Sequence, residues 1–245
     1  MINFFRKIRK KLADDNKPLK YARYAIGEIV LVVVGILIAV QLNNLNEYRK
    51  QKLVEIDILD GIRNDILKDT IDLNFNIRQY KILITNDSLL LNLLINKKVK
   101  SKNLVRNLNF SINNDYRILL HDSHFQEGIQ KGLSIISNES LRDEINRLYQ
   151  FEYAGLKMAE NNLEVFDHGK LLRHEIGQYF GYDSTGIIMS KTAYEKLLSN
   201  NNSLYYIEKG RESKATLLKI HETTLEFALK IADRIKKEVA SLKEK

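Results

Sequence analysis

The hydrophobic positions of this chain are concentrated in one continuous run near its start. Residues 24–42 are apolar except for Glu28 and Gln41, and the stretch 29–40 has no polar side chain. At a rise of about 1.5 Å per residue, a helix over 24–42 covers roughly 28 Å, close to the hydrocarbon thickness of a bilayer. The pattern therefore predicts one transmembrane helix over residues 24–42.

Two alternatives to a retained membrane helix stay open. A cleaved signal sequence and the buried core helix of a soluble protein both contain apolar runs of this kind. We favour the retained helix because a long basic segment precedes the run and no Ala-x-Ala-like cleavage site follows it.

Beyond residue 42 the apolar positions become periodic. They recur at close to 3.6 residues over 59–84, which predicts one face of a long helix. Residues 43–52 contain no Pro or Gly, so this helix is expected to continue directly from the span. Asn86 and Asp87 predict a break, and residues 97–103 a loop. The predicted face consists of Leu59, Ile62, Ile66, Thr70, Leu73, Ile77, Tyr80 and Ile84.

The middle of the chain predicts a helix–turn–helix pair over residues 118–153. Gly132 is a plausible helix stop, and Ser137 or Asn138 can cap the second helix, 141–153. Another helix is expected to follow from residue 154 to about residue 180.

The end of the chain predicts a loop over 181–186, an extended stretch over 187–189 and a short helix capped by Ser190. After a second loop at 200–203, a last helix is expected over 204–242. Its apolar face consists of Leu217, His221, Leu225, Ala228, Ile231, Ile235, Val239 and Leu242.

Pro18 is the only proline in 245 residues, which favours an all-α fold. Long first and last helices enclosing shorter ones predict an elongated extracytoplasmic antiparallel helical bundle after the single transmembrane helix. The expected organisation is a basic segment at 1–23, the span at 24–42 and an extracytoplasmic helical domain at 43–245.

Charge predicts the orientation of the span. The chain has a net charge of +8, and most of this excess precedes the span. Positive flanks stay in the cytoplasm, so the N-terminus is expected inside the cytoplasmic (inner) membrane and residues 43–245 in the periplasm. The near-neutral remainder gives no support for nucleic-acid binding. The basic flank consists of Arg6, Lys7, Arg9, Lys10, Lys11, Lys17, Lys20 and Arg23.

Two parts of the chain resemble a domain-of-unknown-function family of single-span membrane proteins that is abundant in the Bacteroidetes. The first resemblance is carried by Phe4–Arg9, Tyr24–Val32, Gly35–Ala39, Gln41, Asn43-Asn44 and Asn46-Glu47. The second is carried, within 125–149, by Gly132-Leu133, Ile136, Asn138, Leu141-Arg142 and Leu148-Tyr149. Leu45 stands where the family usually has Trp. The resemblance implies the membrane topology and a helical outer domain, and it supplies no catalytic residues.

Glu28, Gly35 and Ala39 share one face of the predicted span. Small residues four apart allow two helices to approach closely, and a carboxylate inside a span is costly unless it has a partner. The face therefore predicts a helix–helix contact with a protein partner or a second copy. Two alternatives are that Glu28 reaches the nearby headgroups, or that it carries protons as in ion-driven membrane units.

Other titratable residues give weaker patterns. His121, His124 and Glu127 are spaced by three, and Glu164, His168 and Glu175 fall on one face of a later helix. The first set could supply metal ligands, and the second could complete a carboxylate–histidine site when paired with the first. We instead interpret the histidines as satisfied or exposed polar residues, and His221 as a hydrogen-bonded core histidine. The sequence predicts no cofactor, has no cysteine and carries no standard catalytic motif.

The leading functional hypothesis is therefore a membrane-anchored extracytoplasmic interaction protein: an adaptor, scaffold or accessory subunit of a membrane complex. A periplasmic ligand-sensing helical bundle is the alternative. An enzyme, or an ion-driven unit that uses Glu28, is less well supported by the sequence.

Overall fold

The computed structural model describes residues 18–97, 101–114, 116–162, 171, 173–184 and 186–244. The chain divides into two units, Met1–Val54 and Glu55–Lys245.

The described elements are mostly helical. The α-helices are α1 (Pro18–Ile95), α2 (Ser101–Asn113), α3 (Ser123–Lys131), α4 (Glu139–Arg147), α5 (Ala154–Asn162), α6 (Lys191–Leu198) and α7 (Asn201–Glu244). The structure also contains a 3-10 turn (Leu133–Ile135), a π turn (Leu148–Tyr153) and two short strands, β1 (Gly181–Asp183) and β2 (Gly186–Ile188). Residues 173–177 are helical as well.

The first helix, α1, begins at Pro18 and runs without interruption into the second unit. The predicted continuity is confirmed, but the predicted break at Asn86-Asp87 is wrong. Asn86 donates a hydrogen bond to the carbonyl of Asn107 at 3.0 Å, and Asp87 pairs with Lys214 at 2.6 Å. Tertiary partners therefore satisfy these two side chains, which do not compete with the helix as a cap would.

In the second unit, α7 runs antiparallel to the later part of α1. Three ion pairs join the two helices: Asp60 with Lys243 at 3.2 Å, Lys81 with Glu222 at 2.8 Å, and Asp87 with Lys214 at 2.6 Å. As the residue number rises along α1, the number of its partner falls along α7.

The apolar faces of these helices form much of the core. Seven of the eight positions predicted on α1 are buried, and Ile84 is half-buried because the buried face moves to Leu83, Leu90 and Leu94. On α7 the predicted face is also confirmed, except that Thr224 is buried where Leu225 is only half-buried.

The middle helices end and begin near the predicted residues. Gly132 has φ of 87°, a left-handed conformation that suits glycine, and it ends α3. The side chain of Asn138 accepts a hydrogen bond from the backbone N–H of Leu141 and caps α4. The expected boundary at residue 153 is wrong, because the π turn joins α4 to α5 without a break.

A two-stranded hairpin interrupts the predicted all-α architecture. In β1 and β2, Gly181 pairs with Ile188 and Asp183 with Gly186, so residues 181–183 form a strand where a loop was predicted. The extended conformation predicted for 187–189 is confirmed at Ile187 and Ile188, and Ser190 caps α6 as expected.

Two predicted loops are shorter than expected. The prediction of a loop at 200–203 is wrong, because α7 already begins at Asn201. The Asn200 side chain accepts a hydrogen bond from the backbone N–H of Asn202 at 2.9 Å, at the start of this helix. The loop at 97–103 ends early, because α2 begins at Ser101.

Candidate functional site

The first unit carries an apolar helical segment whose side chains are uncovered. In the described part of the chain, α1 is the one helix long and apolar enough to cross a membrane, and no residue in its most apolar stretch is buried. This exposure argues against a buried core helix and makes the segment a candidate membrane span.

The face predicted for assembly lies on this segment. A Cβ atom added at Gly35 would meet nothing within 4 Å. Ala39 is exposed and Glu28 is half-buried. Of the basic flank, Lys20 and Arg23 lie within α1, whereas Arg6, Lys7, Arg9, Lys10, Lys11 and Lys17 lie outside the described residues.

In the second unit, two aspartates of α1 each bind one histidine near the start of α3: His121 lies just before the helix and His124 in its first turn. Asp69 accepts hydrogen bonds from the backbone N–H of His121 at 2.8 Å and from its Nδ1 at 2.9 Å. Asp65 accepts from the backbone N–H of His124 at 3.3 Å and from its Nδ1 at 2.7 Å. We call these four side chains the Asp–His cluster. An ionised carboxylate only accepts hydrogen bonds, so Nδ1 of each ring carries a proton.

A glycine makes room for one of these rings. A Cβ atom added at Gly61 would overlap the ring of His124. Because Gly61 lies one helical turn before Asp65, the two residues form a slot on α1. The imidazole lies over the glycine, and its Nδ1 reaches the carboxylate.

The two aspartates differ in their electrostatics. Burial acts to raise the pKa of Asp65, but hydrogen bonds from His124 and Lys68 outweigh it, so this pKa lies below the ordinary aspartate value. Burial raises the pKa of Asp69 above that value, because hydrogen bonds from His121 offset only part of the cost. One carboxylate is thus held firmly ionised, whereas the other is ionised at a cost.

Two tyrosines of the π turn lie against this cluster. Tyr149 stacks on Phe125 with ring centroids 4.2 Å apart, and its hydroxyl donates to the carbonyl of His121 at 3.4 Å. Tyr153 contacts Tyr149 edge-on, and its hydroxyl lies beside Asp69. Burial raises the pKa of both phenols well above the ordinary value, so both stay neutral.

Two further carboxylates hold backbone N–H groups outside the helices. Glu55 accepts from the N–H of Ser137 at 2.7 Å and from its hydroxyl at 2.8 Å. Glu160 accepts from the N–H of Ile118 at 3.0 Å and lies 3.1 Å from Nε2 of His221. Leaving such a donor or acceptor buried and unsatisfied costs about 1–3 kcal/mol, so these contacts fix the irregular segments on α1 and α5.

A buried ion pair joins three helices nearer the hairpin. Lys214 of α7 donates to Asp87 of α1 at 2.6 Å and lies 3.3 Å from the hydroxyl of Ser111 in α2. The Ser111 hydroxyl in turn donates to Asp87. Burial raises the pKa of Asp87, and the charge of Lys214 opposes this effect.

Among the described residues, the candidate metal ligands do not come together. Within residues that the structure describes, no group of three or more His, Asp or Glu side chains could hold a metal ion. Glu127 instead pairs with Lys131 at 2.7 Å. Glu164 and His168 lie outside the described residues, and Glu175 lies 3.5 Å from the side chain of Asn200. His221 is confirmed as a hydrogen-bonded core histidine, bound to the carbonyl of Leu217 at 2.9 Å.

An open groove of about 880 Å³ lies between α1 and α2. Amide side chains dominate its lining, together with Arg106, Phe110, Leu89 and Leu93. We call it the asparagine groove, after Asn86, Asn103, Asn107, Asn109, Asn113 and Asn114.

Sequence reasoning missed the partners of the histidines and the buried ion pair. Gly61, Asp65 and Asp69 are spaced by four, so they share one face of α1, and that spacing was a readable signal. Asp87 and Lys214 both continue the buried faces of their helices, and two opposite charges on two apolar faces were a signal as well.

These features define a helical protein with one candidate membrane span and a second unit fastened by buried charged contacts. The chain belongs to DUF6090, a family of unknown function, whose model matches residues 28–197. The match begins at Glu28 and contains both the Asp–His cluster and the asparagine groove. The predicted membership of a domain-of-unknown-function family is thereby confirmed. Comparisons with curated proteins and with solved structures found no match.

Proposed function

We propose that this protein is a membrane-anchored interaction protein: an adaptor, scaffold or accessory subunit of a membrane complex. Its N-terminus is in the cytoplasm, its span crosses the cytoplasmic membrane once, and its second unit is an extracytoplasmic antiparallel helical bundle. The span binds a protein partner or a second copy through the face of Glu28, Gly35 and Ala39.

One observation carries this proposal: the apolar segment of α1 is uncovered, and its small-residue face is open. Nothing lies within 4 Å of a Cβ atom added at Gly35. In lipid, helices associate where small side chains let their backbones approach, and polar side chains add hydrogen bonds across the contact. A span that served only as an anchor would need neither the small residues nor the carboxylate on this face.

The polar clusters of the second unit support binding rather than catalysis. Asp65 and Asp69 are buried and accept backbone N–H groups, and Asp87 is buried against Lys214. Their carboxylates fasten helices and irregular segments to each other. Such contacts build a stable surface for a partner.

Thiol crosslinking tests the span contact, and the chain has no native cysteine to interfere. We expect Gly35→Cys and Ala39→Cys to give a crosslinked product in native membranes. Val33→Cys and Leu37→Cys, on the opposite side of the helix, are the matched controls. Equal yields from both sides, or none from either, would reject an assembly face.

Thiol labelling tests the orientation. A membrane-impermeant maleimide should label Asn64→Cys in intact spheroplasts, and Asn16→Cys only after the membrane is permeabilised. Labelling of Asn16→Cys in intact spheroplasts would reverse the proposed topology.

The asparagine groove favours a second candidate function, ligand sensing. It is open, and its volume of about 880 Å³ falls in the range of small-molecule sites. A thermal-shift screen of the full chain in detergent separates the two functions. Stabilisation by a soluble compound supports sensing, whereas stabilisation only by a copurified protein supports the adaptor.

A further inference from the structure

We propose that the asparagine groove binds an acidic glycan, a sugar chain that carries carboxylate or sulfate groups. This inference rests on the proposed function in one respect: the extracytoplasmic placement of the second unit determines where the protein would meet the glycan. Binding itself depends on the groove, so it is tested independently of the topology.

The amides of the groove match the hydroxyl groups of a sugar. Each asparagine side chain offers two donors and an acceptor, and each sugar hydroxyl both donates and accepts. The side chains of Asn103 and Asn107 make no hydrogen bond to another residue that the structure describes, and Asn103 is exposed. Their amides are therefore available to a ligand.

The charge of the groove selects an anion. Arg106 is exposed and pairs with no carboxylate among the described residues. Among the residues that the structure describes, the groove lining contains no Asp or Glu. A guanidinium binds a carboxylate or sulfate group through paired hydrogen bonds.

The helix that carries most of these amides is built against its own propensity. Asn is among the weaker helix formers, yet four of the 13 residues of α2 are asparagines, and all four line the groove. Local choices that oppose the local structure are expected at functional sites. A purely solvated face would be served as well by Lys, Glu or Gln, which favour the helix.

The apolar part of the lining fits a sugar better than a peptide. Leu89, Leu93 and Phe110 give limited apolar surface, which suits the C–H face of a sugar ring. An extended peptide is read through a series of side-chain pockets, and a lining dominated by amides does not supply them.

Calorimetric titration of the full chain in detergent tests the proposal with four probes of matched length. Oligogalacturonate and a chondroitin sulfate oligomer carry carboxylate and sulfate groups on sugars. A maltooligosaccharide is a neutral glycan, and oligoglutamate is an acidic peptide. We expect the two acidic glycans to bind and the other two to bind at least about tenfold more weakly.

Variants place the binding in the groove. Arg106→Gln should weaken binding by about tenfold or more, and Asn103→Ala and Asn107→Ala by about fivefold each. Alanine raises helix propensity, so lost binding in these two variants does not reflect an unfolded helix. Arg78→Gln and Asn64→Ala change exposed residues of α1 outside the groove and should leave the affinity unchanged.

Each other outcome overturns the proposal. If neither acidic glycan binds, the groove has no such ligand. If oligoglutamate binds as well and depends on the same residues, the site is for acidic peptides. If the maltooligosaccharide binds equally and Arg106→Gln has no effect, the site does not select charge.

Discussion

The imidazole ring of His124 occupies the space over Gly61 in which any other residue would place its Cβ atom. The same ring donates to Asp65 at 2.7 Å, so the glycine and the aspartate together hold one side chain. The slot fixes the first turn of α3 against α1.

Gly61→Ala should therefore destabilise the protein, although alanine is the better helix former. The gain of about 1 kcal/mol in propensity is smaller than the loss when the ring moves off Asp65, about 1.5–3 kcal/mol for a hydrogen bond to a charged group. We expect a net loss of about 1 kcal/mol in urea unfolding of the full chain. Gly210→Ala in α7 is the control, because its Cβ would meet nothing within 4 Å, and it should stabilise. If both changes stabilise the protein, the His124 ring is not held over Gly61 as described.

Lys214→Met should cost about 3–5 kcal/mol of unfolding free energy, because it leaves the buried Asp87 without its counter-charge. The double variant Asp87→Leu with Lys214→Met should be more stable than the single variant, because a buried ion pair can often be replaced by apolar groups. Chemical denaturation of both variants measures this coupling. A double variant less stable than Lys214→Met would contradict this expectation. It would show that Asp87 stabilises the fold even without Lys214.

Asp65→Asn and Asp69→Asn should have opposite pH dependences. The lowered pKa of Asp65 stabilises the fold above the ordinary aspartate value, and this contribution disappears as pH falls through the lowered pKa. The raised pKa of Asp69 has the opposite effect on stability. The contribution of Asp69 falls as pH rises from the ordinary aspartate pKa through the raised pKa.

Relative to the unmodified protein, the deficit of Asp65→Asn should therefore shrink on acidification, and that of Asp69→Asn should grow. At neutral pH we expect Asp65→Asn to be the more destabilising change, by about 1–3 kcal/mol. Unfolding free energies measured across the acidic range check both trends. Parallel pH profiles of the two variants would contradict the assigned pKa directions.

Glu28→Leu separates an assembly role from simple anchoring. Removing one hydrogen bond between membrane helices should reduce the crosslinking of Ala39→Cys by a few fold, since such bonds contribute about 1 kcal/mol. Glu28→Gln keeps the hydrogen bond but cannot carry a proton as a carboxylate does, so it should retain most crosslinking. If Glu28→Leu leaves the crosslinking unchanged, Glu28 has no role in assembly and the span is only an anchor.

The sequence predicted those parts of the fold that depend on neighbours along the chain. The continuity of α1, the glycine stop at Gly132 and the caps Asn138 and Ser190 follow from local residue chemistry. The break expected at Asn86-Asp87 failed because their partners lie in α2 and α7. Local rules treat these side chains as competitors of the helix, whereas tertiary contacts satisfy them.

The candidate sites were predictable to different degrees. The face of Glu28, Gly35 and Ala39 follows from helical spacing alone, and its role in assembly stays a prediction. The Asp–His cluster joins Asp69 to His121, which are 52 residues apart, and the groove requires that α1 and α2 lie side by side. Periodicity within α1 marks the face of Gly61, Asp65 and Asp69, but it does not say which residues of another segment contact that face.

The ion pair between Asp60 and Lys243, 3.2 Å long, places the two ends of the second unit next to each other. A unit with adjacent ends can be inserted into a host chain without pulling its helices apart. We therefore expect the second unit to keep its core when it is attached at one point to a different anchor. Evolution and protein engineering can thus change the anchor and the surface of the second unit separately.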